Sequence, residues 1–445
     1  MYAVNGVCMQ GMFVALSTML CMILYWERMM NDAFGSARCW KGTVFGYQGL
    51  DSLLPELLPV RVKVLPNFSK MDPEMVYRLF TNNKNATKVS SDFLMARMAR
   101  LSASSPMSFF TFTKAVADQL NLPRILLGTT SATFSSTMAS VKLLQQNEVI
   151  SITDGLPNMH IPKIQPLRIK DIPDFSMTDP DTCERFWADM INAIRSALGC
   201  IMNTFDDLEP TAFEKVRQDC HPMPLFAVGP LCKFSPGSSN SLLTQDYSCM
   251  AWLDKQAPQS VIYISFGSLA SITKTDLVEI AWGLANSDQP FLWVVRPGSI
   301  HGHDCNELLE GFEEKTRERD QIVKWAPQQE VLAHPSVGGF WTHNGWNSTL
   351  ESICEGVPML CSPYLWDQNV HARYVSHVWR VGMQLEKGFD GSEIEWAVRR
   401  LMVEIEGKEM RERVGALKEN AMRCMAKGGS SYESLESLID LIMSL

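Results

Sequence analysis

From about residue 250 onward the chain alternates short apolar runs with stretches of helical spacing. Val261–Ile264, Phe291–Val295, Gly339–Thr342 and Pro358–Cys361 are strand-like, and each leads into a polar turn and then a helix-compatible segment. That alternation predicts a parallel sheet covered by helices on both faces, an α/β architecture. Residues 1–230 carry the same kinds of segment, such as Arg124-Ile-Leu-Leu-Gly128 and the helical stretch Thr113 to Leu120, which predict βα units but give no strand order. At the other end, Leu435, Leu438, Ile439, Ile442 and Met443 share helical spacing after a Gly-Gly-Ser-Ser opening, predicting a terminal helix with one apolar face.

The pattern breaks between Gly229 and about Cys249, where proline, glycine, serine and asparagine cluster as in a linker. A chain of 445 residues calls for two domains. The expected organisation is therefore an N-terminal domain over 1–232, a linker over 233–248, a C-terminal domain over 249–430 and a terminal helix over 431–445. The apolar stretch Gly11 to Trp26 is short for a membrane span and lacks a basic flank, so a buried first helix is expected and stable membrane insertion is not.

Composition narrows the classes of function. With 46% hydrophobic and 20% charged residues the chain is globular rather than disordered. A net charge of −9, without basic runs interleaved with aromatics, argues against a nucleic-acid partner. The 12 cysteines, scattered from Cys8 to Cys424, form neither a C-x-x-C pair nor a zinc-spaced cluster, so thiols in a reducing cytoplasm are expected. The sequons at Asn67 and Asn85 would go unused there.

Candidate chemistry concentrates between Trp325 and Gln368. Gly338-Gly-Phe-Trp-Thr342 reads as a strand, His343-Asn-Gly as a turn, and the residues after it as a helix start. Such a junction offers unpaired amides and the positive end of a helix dipole, which suits a pyrophosphate, with His343 as a further donor. Asn347 and Glu351 lie four apart on one helix face, and a carboxylate there can accept from ribose hydroxyls. Trp325, held by the following proline, offers a flat ring for a base, with Gln328 in reach of the ribose. Asp367 and Gln368 follow another strand, at the sheet edge where open α/β sheets place ligands, and suit adjacent sugar hydroxyls. Ser268, after Val261-Ile-Tyr-Ile-Ser-Phe-Gly, can donate to a phosphate from the opposite wall. Singly these residues have bland readings, Trp325 as core, His343 as structural and Asp-Gln as a helix cap. No G-x-G-x-x-G or G-x-x-x-x-G-K-[ST] loop competes. Asp179-Pro-Asp181 imitates a metal-binding pair in a proline-rich loop, and no metal is expected.

In order and spacing, this stretch resembles the signature box of plant family-1 UDP-glycosyltransferases. The likeness extends through Met202-Asn-Thr-Phe-Asp-Asp-Leu-Glu209, Phe226-Ala-Val-Gly-Pro230, Trp252-Leu-Asp254 and Ser265-Phe-Gly-Ser268, covering roughly 115–445. The resemblance implies a GT-B fold, two Rossmann-like domains facing across a cleft, with the donor on the C-terminal domain, the acceptor mostly on the N-terminal one, and the terminal helix crossing back to the N-terminal domain. It implies Trp325 on uracil with the adjoining Ala326, and Gln328 and Glu351 on ribose. Ser268, His343, Asn347 and Ser348 would meet the phosphates, and Trp346, Asp367 and Gln368 the sugar, with Gly345 and Tyr364 completing the site. It implies UDP-glucose as co-substrate, no other cofactor, and a small lipophilic plant metabolite as acceptor. The family's catalytic histidine follows Gln-Gly near the N-terminus, but here Gln10-Gly11 is followed by Met12, and Met107 stands where the partner aspartate belongs. Two outcomes are expected from that departure: an inverting transferase with another base or an acidic acceptor, or a UDP-sugar-binding protein with little catalysis.

Overall fold

The computed structural model describes residues 123–146, 157–173, 194–234, 244–268, 270–300, 311–317 and 319–444. Met12, Met107, the Gly11–Trp26 and Thr113–Leu120 stretches, both sequons, the Asp179–Asp181 pair and the middle of the linker lie outside the described residues. The chain divides into two compact units, one of Met1–Arg124 with Thr178–Leu198, the other of Ile125–Met177 with Gly199–Leu445. In the first, the Leu198 amide donates to the Arg124 carbonyl at 2.8 Å.

The second unit holds two parallel sheets. Strands β1 (Ile125–Gly128), β2 (Gly199–Met202) and β3 (Leu225–Ala227) pair in that order. Helix α1 (Ala132–Gln146) follows β1, and α2 (Pro210–Cys220), opened by a proline at its first position, joins β2 to β3. After α3 (Ser248–Leu253), a doubly wound region runs β4 (Val261–Ser265), α4 (Lys274–Ser287), β5 (Phe291–Val294), α5 (Phe312–Thr316), β6 (Asp320–Val323), α6 (Gln328–Ala333), β7 (Val337–Thr342), α7 (Trp346–Glu355), β8 (Met359–Cys361), α8 (Gln368–Arg373) and β9 (Gly382–Gln384). Its strands lie in the order β6-β5-β4-β7-β8-β9, all parallel. Helices α9 (Gly391–Met402), α10 (Ile405–Met425) and α11 (Ser430–Met443) close the chain.

The continuous apolar runs of β4 and β7 follow from burial on both faces. Val261, Tyr263 and Phe340 face one layer with Trp346, Leu350 and Ile353 of α7, while Ile262, Ile264 and Trp341 face the other with α4 and α9. Tyr263 and Phe340, opposite each other in register, stack with centroids 5.0 Å apart. Strand-like β6 and β9 were not foreseen. They are short edge strands carrying Asp320 and Gln384, where hydrophobic continuity is not demanded. The terminal helix α11 packs Leu435, Leu438 and Leu441 against Phe226 and Val228, and Ser431 donates to the Gly229 carbonyl at 2.8 Å. Among the described residues no helix is long and apolar enough to cross a membrane.

Candidate functional site

In the six-stranded sheet the connections from β4 and β7 leave in opposite senses, so a crevice opens at the carboxyl ends of these two neighbours. The loops entering it are Phe266–Ser268 after β4, with Ser268 exposed, and His343–Gly345 after β7. Asn344 takes a left-handed φ of 59°, its amide donating to Thr342 Oγ1 at 3.2 Å, and Gly345 then caps α7. No side chain caps this helix start and no acidic residue lies in its first turn. Its leading amides and positive dipole end are thus available to an anion.

His343 sits between two glycines that cannot be replaced without moving it. A Cβ on Gly267, which also has a φ of +73°, would lie 2.5 Å from the ring's Cε1, and one on Gly345 would lie 2.6 Å from Nε2. Burial pushes the ring's pKa down to about 4, against the opposing pull of Asp367 and of the Ser265 carbonyl. Nδ1 is buried without a hydrogen bond of normal geometry. At neutral pH His343 is therefore an uncharged hydrogen-bonding group. The positive end offered to a diphosphate is then the helix start rather than the ring. A pH signature follows, because the unfolded chain takes up this proton near the ordinary value of 6.5 and the folded chain only near 4. Stability from this group is present in full above the unfolded value and falls as pH drops between the two, by up to about 3 kcal/mol. Urea unfolding at about pH 7 and about pH 5 is expected to show a smaller difference in His343→Gln than in wild type; equal differences would mean that the ring is not desolvated.

On one flank, Gln328, Ser348 and Glu351 come together. Gln328, first residue of α6, donates through Nε2 to Glu351 Oε2 at 2.6 Å and Ser348 Oγ at 3.0 Å, while Gln329 donates to Glu351 Oε1 at 3.2 Å. The Tyr263 hydroxyl donates to Gln328 Oε1 at 3.3 Å. Burial raises the Glu351 carboxyl above its usual range, and the two amides partly offset this. Trp325 is half-buried against the core below β6, followed by the buried Ala326. Asn347 is exposed on the first turn of α7, its Oδ1 accepting from Asn203 Nδ2 at 3.1 Å.

Trp346 requires a correction. The helix begins at this residue, and its indole turns inward, 3% exposed, with Nε1 donating to the Asn203 carbonyl at 2.7 Å. Its ring packs on His371 and Trp379 rather than facing a ligand. Only its backbone remains available to the site.

On the other flank, Asp367 precedes α8 and Gln368 opens it. Gln368 Oε1 accepts from the amides of Tyr364 and Leu365 at 2.8 and 3.0 Å, shaping the loop, while the Tyr364 ring is exposed. Asp367 Oδ2 accepts from Thr130 Oγ1 at 2.5 Å and lies 3.8 Å from His371 Nε2. Thr130, Ser131, Asn203 and His371 were not singled out from sequence. Thr130 and Ser131 stand between the end of β1 and the start of α1, and Asn203 directly after β2, the same strand-end signal that marks the other loops. His371 lies four residues after Asp367 in a helical stretch. Among the described residues no group of three or more His, Cys, Asp or Glu side chains is arranged to hold a metal ion.

Comparison with known proteins accords with this geometry. The sequence model of the family "UDP-glucoronosyl and UDP-glucosyl transferase" matches residues 221–423. UDP-glycosyltransferase 76B1 of Arabidopsis thaliana is 45% identical over 334 residues, 75% of this chain and 74% of its own length. The Arabidopsis flavonol 3-O-glucosyltransferase UGT76E12 is 40% identical over 402 residues, 88% of this chain and 85% of its own. Among solved structures, Phytolacca americana UGT2 in complex with UDP-2fluoro-glucose and pterostilbene is similar with a TM-score of 0.62 at 32% identity, covering 74% of this chain and 72% of that one. On these matches, and on its paired parallel sheets with a GT-B fold, the chain belongs to the plant family-1 UDP-glycosyltransferases.

Proposed function

We propose that the protein transfers glucose from UDP-glucose to a hydroxyl or carboxyl group of a small lipophilic plant metabolite, with inversion at the anomeric carbon. The observation that carries this reading is the three-part crevice: an uncapped helix start beside a neutral His343, a Gln328–Glu351 clasp on one side and Asp367–Gln368 on the other. Its parts have the chemistry of a diphosphate site flanked by two polyol sites. The diphosphate would meet the leading amides of α7 with His343, Asn347, Ser348 and Ser268. The ribose hydroxyls would donate to Glu351 beside Gln328, the base would stack on Trp325 beside Ala326, and the sugar would meet Asp367 and Gln368.

As the acceptor oxygen bonds to the anomeric carbon, giving up its hydroxyl proton to water or attacking as an already ionised carboxylate or phenolate, the bond from that carbon to the β-phosphate oxygen breaks and UDP leaves. The negative charge that develops on the leaving oxygen faces preorganised N–H groups at a helix start, which need no reorientation during the step. No resident metal is part of this proposal. The names of the relatives, which include a flavonol 3-O-glucosyltransferase, support glucosyl transfer to small plant metabolites. Cys200, Cys232, Cys249, Cys354, Cys361 and Cys424 carry free thiols, which supports a cytoplasmic location.

The test is mass-spectrometric detection of glucosides after incubating the purified protein with UDP-glucose and pooled phenols and carboxylic acids. Products with a mass increment of one hexose are expected. Absence of product with every acceptor, while UDP binds, would overturn the transferase reading.

A further inference from the structure

The turn that presents His343 and the helix start is fastened from behind by a residue that the transfer chemistry does not use. His371, on α8, is 1% exposed, with Nδ1 3.0 Å from the Asn344 carbonyl and Nε2 2.9 Å from Ser131 Oγ. A carbonyl only accepts, so Nδ1 carries a proton, and in the neutral ring Nε2 accepts from the Ser131 hydroxyl. Ser131 Oγ in turn accepts from the Phe134 amide at 2.9 Å, at the start of α1. The imidazole also packs on Trp346, centroids 4.9 Å apart.

The Asn344 carbonyl and the Gly345 amide belong to one trans peptide group, in which C=O and N–H point in opposite directions. Tying the carbonyl to His371 therefore turns the Gly345 N–H away from α8. Glycine tolerates either orientation of the peptide before it, so the Asn-Gly turn alone does not settle which way this amide points. Asn344 is wholly buried in a left-handed conformation, one that an ordinary residue keeps only when its surroundings hold it there.

We infer that His371 is a positioning residue for the donor: it sets the Asn344–Gly345 peptide so that the Gly345 amide faces the diphosphate of the nucleotide sugar. This rests on the donor-site reading above, and its test is built on binding rather than turnover. UDP affinity is measured by titration calorimetry on the full chain and on His371→Asn, His371→Gln and His371→Ala. The asparagine amide nitrogen stands as far along the side chain as Nδ1, and the glutamine one as far as Nε2.

The asparagine variant is expected to stay within about threefold of wild type, and the glutamine and alanine variants to weaken about tenfold or more, the worth of one hydrogen bond to a charged group. Affinity for uridine, which lacks the diphosphate, is expected to be the same in all four proteins by ligand-observed NMR. Equal losses in the asparagine and alanine variants, or wild-type affinity in the glutamine variant, would overturn the proposal. Parallel losses for uridine and UDP would assign His371 to the fold alone and overturn it too. If wild-type protein bound no UDP, the donor-site reading would fail first and take this inference with it.

Discussion

Glu351→Gln is expected to weaken UDP binding by about tenfold and Glu351→Ala by about a hundredfold, without lowering the melting temperature of the glutamine variant. The carboxylate is half-buried and desolvated enough to raise its pKa, and two glutamine amides already reach it. In the proposed complex it also accepts from both ribose hydroxyls, each bond to a charged group being worth about 1.5 kcal/mol or more. Glutamine keeps one acceptor oxygen and alanine keeps none. The sign on stability is opposite to that on binding. Burial raises the pKa of this acid in the folded state, so its ionised form at neutral pH is held at a cost that glutamine removes. A site residue that improves stability when neutralised is behaving as a binding group. Calorimetric titration with UDP and a thermal melt decide it, and unchanged affinity in the alanine variant would move the ribose elsewhere.

The second large effect is expected at Asp367. Replacing it by alanine should lower kcat/KM for UDP-glucose by about a hundredfold while leaving UDP affinity within about twofold, since in the proposed complex two charge-assisted bonds to glucose hydroxyls are lost and UDP lacks the glucosyl group. Thr130 holds Oδ2 at 2.5 Å, which fixes the carboxylate before any ligand arrives. Thr130→Val is accordingly expected to reproduce part of the loss. If UDP affinity fell as far as kcat/KM, Asp367 would be serving the His343 turn, toward which its charge also acts, rather than the sugar.

Much of this site was legible because its chemistry is local in sequence. The strand, turn and helix from Gly338 to Glu351 were visible as an apolar run, an Asn-Gly turn and a good helix former, and the structure places β7, the turn and α7 there. Gln328 and Glu351, distant by a helix and a strand, were each expected near the ribose, and they meet at 2.6 Å. What escaped were contacts made through the fold. Trp346 was expected to face a sugar, but a first-turn position on a helix lying over a sheet points at the core, which periodicity alone does not reveal until the helix start is known. Thr130, Ser131 and Asn203 reach the donor residues from more than a hundred positions away, and only the arrangement of the two sheets brings them there. The charge state of His343 was also hidden, because desolvation depends on what covers a ring rather than on its neighbours in sequence.

Those long-range contacts bear on how such enzymes can be recombined. Asp367, His371, Asn347 and Trp346 are each hydrogen-bonded to Thr130, Ser131 or Asn203, all from the ends of β1 and β2. A chimera joined in the 233–248 stretch would take its C-terminal half, which carries the proposed donor site, from one parent and these three fasteners from another. Parents that differ at the fasteners would give hybrids with intact sheets but poor donor binding. Grafting residues 128–132 and 202–204 along with the C-terminal half is the transplant that keeps the donor half whole.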